Sequence, residues 1–143
     1  MESHIMRYEP GWLYDWHEHD GSEWRPVLVE EMKALSFLGK PFDDGAREVL
    51  AFASSVAAGQ SRPVPGSCWS VTDVGAEICA FTRKGVVLLY AVGAPQAEDG
   101  QRAVFLLKCA KARSTHPAVA DIREAERRLR AWRTRDRADD PVG

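Results

Sequence analysis

The chain contains no apolar run of 18 residues, so no membrane-spanning helix is expected. Its first residues, MESHIMRYEPGW, lack an apolar core, so no secretory leader is expected, and Met6 reads as an alternative start. Cysteine is scarce. The 3 present (Cys68, Cys79 and Cys109) are widely spaced within strand-like segments. That odd set excludes a dense disulfide framework and predicts free buried thiols in a cytoplasmic protein. There is no glycine-rich phosphate loop and no strained elbow presenting a serine nucleophile. His17 and His19, with Asp15, Glu18 and Asp20, invite a metal reading. Two histidines at i, i+2 share a face only on a strand, and no distant Cys/His pair completes a tetrahedral set, so no metal or cofactor is expected. Internal repeats and low-complexity tracts are also missing.

What the chain does have is a lopsided charge. The net charge of −2 over 143 residues hides two opposite ends. Residues 1–60 carry 5 basic and 11 acidic side chains, a balance of −6, whereas residues 102–137 carry 11 basic and 4 acidic, a balance of +7. The last third has the electrostatic footprint of a polyanion binder. Intramolecular pairing of those charges is the competing reading.

Periodicity and punctuation organise the rest. Residues 1–26, rich in Trp, Tyr, His and acids, have no clean period and are set apart as an N-terminal extension. Residues 24–35 can start a helix at Pro26. Asp43 and Asp44 look like an N-cap before GAREVLAFASSVAAG, where Ala46, Val49, Leu50, Ala53, Val56 and Ala57 share a face and Gly59 ends the helix. Residues 59–67 form a loop by composition. Four strand-like runs follow at 68–73, 76–82, 86–92 and 103–109, with hairpin-compatible turns DVGA and RKG. The fold class is therefore α+β: two N-terminal helices, a mainly antiparallel four-stranded sheet with the helices on one side, and a C-terminal helix over 117–133. The domain spans 27–133, and 134–143 is a polar tail that frays.

The most informative stretch is FLLKCAKARSTHPAVADIREAERRLRAW. A strand delivers Lys108, Lys111, Arg113 and His116 onto one short connection before Pro117 opens a helix. Val119, Ile122, Ala125, Leu129 and Trp132 make its apolar stripe, and Arg123, Arg127, Arg128, Arg130 and Arg133 cover the remainder. Arg83 and Lys84 sit on the RKG hairpin tip. Tyr90 ends an apolar strand, where its ring packs and its hydroxyl stays wet.

At this point the chain resembles the RelE/ParE superfamily of toxins, nearest to its HigB-type, phage-derived branch. The residues that carry the likeness are the tyrosine strand GVVLLYAV and the turn and helix LLKCAKARSTHPAVADIREAERRLRAW. Glu77-Ile78 within residues 69–81 is similar to the family's central strand pair. Ala112 stands where the family commonly has a second lysine, and Val87 where it has an arginine. The resemblance implies a metal-free endoribonuclease that cuts mRNA, on the ribosome or free of it. It also implies a toxin held inactive by an antitoxin, of helix-turn-helix type, that covers the basic C-terminal third. Lys111 matches the family's basic position in the turn. Arg113 and His116 follow more loosely as catalytic groups, with Lys108, Arg83 and Lys84 as RNA contacts. The alternative is a non-catalytic member of the same fold acting through protein–protein binding.

Overall fold

A computed structural model describes residues 9–19, 21–93, 99–113 and 116–139, without the side chains of His19, Trp24 and residues 133–139. The order is β1 (Leu13–Tyr14), β2 (His17–His19), β3 (Trp24–Pro26), α1 (Val27–Ser36), α2 (Lys40–Ala57), β4 (Cys68–Val71), β5 (Ala76–Arg83), β6 (Val86–Val92), β7 (Val104–Lys111) and α3 (Val119–Asp139). The protein is α+β. Strands β4 to β7 form the antiparallel meander that the short turns predict. The sheet has five strands rather than four, in the order β1-β7-β6-β5-β4, and β2 and β3 make a separate hairpin. The fifth strand is β1, which pairs in parallel with β7 at Leu13↔Val104 and Tyr14↔Phe105. Two residues are too few to show a period, which is why the extension hid it. Tyr14 stacks on Phe105 with ring centroids 5.4 Å apart.

The helices are not all on one side. Every residue of β6 is buried, and its alternate residues serve two cores. Leu88, Tyr90 and Val92 pack with Leu28, Leu35, Val49, Ala53 and Val56 of α1 and α2. Val87, Leu89 and Ala91 pack with Ala125, Leu129 and Trp132 of α3. A strand covered on both faces needs a continuous apolar run rather than an alternation, and VVLLYAV supplies one. Trp132 packs edge-on against Phe105 at 5.0 Å, and Trp16 of the expected extension joins the same core.

Several boundaries move. α2 begins at Lys40 behind Gly39, with proline in its first turn and no side-chain cap, so Asp43 sits inside the helix rather than capping it. Pro41 fixes φ where a missing N–H costs nothing, and the carboxylate near the N-terminus favours the helix dipole. α3 starts at Val119, two residues after Pro117, and runs on to Asp139 through most of the expected tail. The expectation of free thiols holds at Cys109 alone. Cys68 and Cys79 are opposed across β4 and β5, with Cα atoms 4.1 Å apart, and are joined as a disulfide. Sequence spacing does not reveal strand register, so this pairing was invisible. Among the described residues no helix is long and apolar enough to cross a membrane.

Candidate functional site

The β5–β6 turn builds one end of the sheet. It is a two-residue connection in which Lys84 has φ 48° and Gly85 has φ 79°. Positive φ at both positions matches the tight hairpin that suits strand twist. Gly45 of α2 lets the helix approach this turn: a Cβ there would lie 2.6 Å from the Arg83 carbonyl and 2.9 Å from Val86. Arg83 pairs with Val86, and Val86 with Lys111, so Arg83 and Lys111 stand in one row on the α1–α2 face. The Ala112 N–H donates to the Gly85 carbonyl at 2.8 Å, which clips the chain before Arg113 to the hairpin.

Charge at this end is partly open. The Lys111 ammonium lies over the Phe42 ring at 5.4 Å, and the Arg83 guanidinium over Phe81 at 4.5 Å. Rings hold such cations without neutralising them. Arg83 also donates to the Thr82 carbonyl at 3.2 Å. Lys111, Arg83, Arg113 and His116 are all exposed. Lys84 is different, because its ammonium pairs with Glu48 at 3.1 Å and Asp44 at 4.0 Å. Arg113 and His116 flank residues 114–115, which lie outside the described residues.

Lys108 faces elsewhere. β1 covers the outer edge of β7 only as far as Phe105. Leu107 is an extra residue on β7, since Leu89 pairs with Lys108 and Tyr90 with Leu106. Beyond β1 the bare edge is closed by side chains. The Leu107 carbonyl accepts from Arg128 Nη1 at 2.7 Å, and the Cys109 N–H donates to Glu31 Oε1 at 3.2 Å. Glu31 and Arg128 form a bidentate pair at 3.1 and 3.0 Å, and Lys108 Nζ reaches Glu31 Oε2 at 2.6 Å. This ion pair does the work of an edge strand: it satisfies backbone groups that burial would otherwise leave unmet.

The network extends along α3. Arg128 Nε donates to Glu124 at 3.1 Å, and Arg127 binds Glu124 and Glu18, the latter at 2.8 Å. Arg130 forks onto Asp73 at 2.7 and 3.2 Å. The Trp16 indole donates to Glu18 at 3.0 Å. That bond, with Arg127 and Arg128 beside it, holds the Glu18 carboxyl below its usual range. Arg127 and Arg128 do the same for Glu124. Burial pushes the Asp15 carboxyl up, and its Oδ1 is buried without a partner. Tyr90 departs from expectation: its hydroxyl is fully buried and unpartnered rather than wet, and burial pushes its pKa up to about 12.

The structure thus gathers Arg83, Lys84 and Lys111, with Arg113 following, at one sheet end and withdraws Lys108 into an internal ion pair. The sequence reading passed over Glu31 and the inward role of Arg128. Both left a signal. Glu31 lies between the buried Leu28 and Leu35 on α1, and Arg128 between Ala125 and Trp132 on α3. A charge set within a buried helical stripe marks an internal ion pair. No protein-family model, curated protein or solved structure matches the chain.

Proposed function

We propose that the sheet end bearing Arg83, Lys111 and Arg113 is an RNA-binding face, and that the protein is a metal-free endoribonuclease of RelE/ParE type, toxic unless an antitoxin covers this face. The observation that carries the reading is the row Arg83–Val86–Lys111, which sets two exposed cations on the same sheet face, flanking Val86. Lys111 and Arg83 bind the scissile phosphate. The RNA 2′-oxygen attacks the phosphorus, the bond to the 5′-oxygen breaks, and a 2′,3′-cyclic phosphate and a 5′-hydroxyl result. His116 moves the proton, a role an imidazole can fill as acid and as base. The pentavalent state gathers negative charge on its oxygens, and fixed cations favour it over the ground state. Arg113 adds a third donor to the same phosphate. The charge of this face steers both mRNA, on the ribosome or free, and an acidic antitoxin segment.

Cleavage of a fluorescent RNA in chelator-containing buffer tests the reading. Lys111→Ala slows cleavage by on the order of 10–10³-fold, while urea unfolding shifts little, because Lys111 is exposed. Growth inhibition on induced expression falls in parallel. Wild-type cleavage and toxicity in the Lys111→Ala/His116→Ala double variant defeats the catalytic assignment. Binding without cleavage by the wild-type protein transfers the face to the protein-association reading.

A further inference from the structure

The opposite end of the sheet holds a cavity of about 560 Å³ whose wall includes Cys68, with Ser61, Arg62, Glu77, Asp99 and Arg102. Its disulfide is asymmetric. Cys68 is partly exposed on the cavity wall, whereas Cys79 is 0% exposed beneath it. The Ser67 hydroxyl lies 3.7 Å from the Cys68 sulfur. β4 is the outermost strand, four residues long and paired on one side only. The third cysteine, Cys109, is buried, and its thiol is pushed up to about 12 by that burial, which leaves it inert to exchange.

We propose that the Cys68–Cys79 bond is a thiol-exchange site, entered through this cavity by a small thiol that attacks Cys68. Exchange needs a thiolate to reach one sulfur of the pair, and only Cys68 faces the cavity. Arg62 and Arg102 draw the anionic sulfur in, while Glu77 and Asp99 on the same wall keep that attraction local. The incoming sulfur bonds to Cys68 Sγ, and the Sγ–Sγ bond breaks. The electron pair leaves on Cys79 Sγ, which takes a proton from water. A second thiol then attacks the mixed disulfide. The Cys68 thiol is released, and the two reducing thiols end as their own disulfide, so the protein gains two electrons and they lose two. Opening the bond leaves β4 held by its pairing to β5 and by the packing of Trp69 and Val71, without a covalent tie. In a reducing compartment the outer strand therefore becomes conditional on redox state.

The full chain, purified without reductant, is tested in three steps. Alkylation in denaturant without reductant gives one modified cysteine by intact mass. Native protein treated with glutathione, then quenched into acid denaturant and alkylated, carries the glutathione adduct on Cys68. Reduction of the native protein by dithiothreitol proceeds at a rate insensitive to low urea and lowers the melting temperature by about 5–10 °C. Three modified cysteines at the first step overturn the proposal. So does an adduct absent or confined to Cys79, or a reduction rate that climbs with urea in step with global unfolding.

Discussion

On α3, Arg127, Arg128 and Arg130 meet carboxylates at 2.8, 3.0 and 2.7 Å; at the sheet end, Arg83 and Lys111 lie over aromatic rings at 4.5 and 5.4 Å. The two regions carry the same sign of charge but differ in what it is free to do. A guanidinium forked onto a carboxylate has its donors committed, and its field is cancelled at short range. A cation over a ring keeps its charge and its outward donors. The +7 balance of residues 102–137 therefore overstates the surface available to a polyanion. Part of it is answered from outside that segment by Glu18, Glu31 and Asp73, the first two from the acidic N-terminal part of the chain.

The largest expected effect lies in the buried pair. The Arg128 side chain is 5% exposed and that of Glu31 17%. Arg128→Leu leaves the Glu31 carboxylate and the Leu107 carbonyl short of partners, at a cost of about 3–5 kcal/mol in urea unfolding. The Glu31→Leu/Arg128→Leu double variant loses less than the sum of the singles, because neither member of the pair is left buried without the other and only the partly exposed Lys108 loses its carboxylate. Additive losses would show that the two residues are not coupled.

Gly45→Ala comes next. Its methyl would press on the Arg83 carbonyl at 2.6 Å, so the hairpin tip must shift. About 1–3 kcal/mol of stability is lost, and RNA affinity falls with it because Arg83 moves. An Ala variant with wild-type stability and affinity would mean that the tip is not held by α2.

The acid response has a definite sign. Glu18 and Glu124 have lowered pKa values in the folded state. Their stabilisation is present at neutral pH and is lost as pH falls through and below the ordinary glutamate value of 4.5. Asp15 works the other way: its raised pKa means that its charged form disfavours folding at neutral pH, and protonation relieves it. Asp15→Asn should add about 1 kcal/mol at pH 7 and almost nothing at pH 3. Destabilisation at pH 7 would assign the carboxylate a partner. The smallest effect belongs to Arg130→Ala, whose pair with Asp73 is about half exposed on both sides. Its loss costs at most roughly 0.5 kcal/mol, and raising the salt concentration erases even that.

Legibility followed the range of the interaction. The meander and its RKG turn were readable because period, glycine and turn length are local features, and β6 emerged over Val86–Val92 as marked. The two-sided cover of the sheet was latent in VVLLYAV, an apolar run without alternation. β1, the disulfide and the Lys108–Glu31–Arg128 cluster were not read. β1 and the ion-pair cluster depend on register between segments far apart in sequence, 77 residues in the case of Lys108 and Glu31, and the disulfide depends on the register of one hairpin, across 11 residues. Of the candidate site, the gathering of Arg83 and Lys111 followed from the hairpin pattern, and the separation of Lys108 from them follows from strand alternation, since Lys108 and Lys111 stand three residues apart on β7.

The salt dependence of RNA binding tests the contrast between the two regions most directly. A 2′-O-methyl RNA, which cannot be cut, is titrated at several salt concentrations. The slope of log affinity against log salt counts the phosphates neutralised, at about 0.7 per contact on a single strand. The account predicts that Arg83→Ala/Lys111→Ala/Arg113→Ala, which strips the cations from one phosphate, lowers the slope by about 0.7, while Arg127→Ala/Arg130→Ala leaves it at the wild-type value. A slope that falls for the helix pair and holds for the sheet-end triple would contradict it.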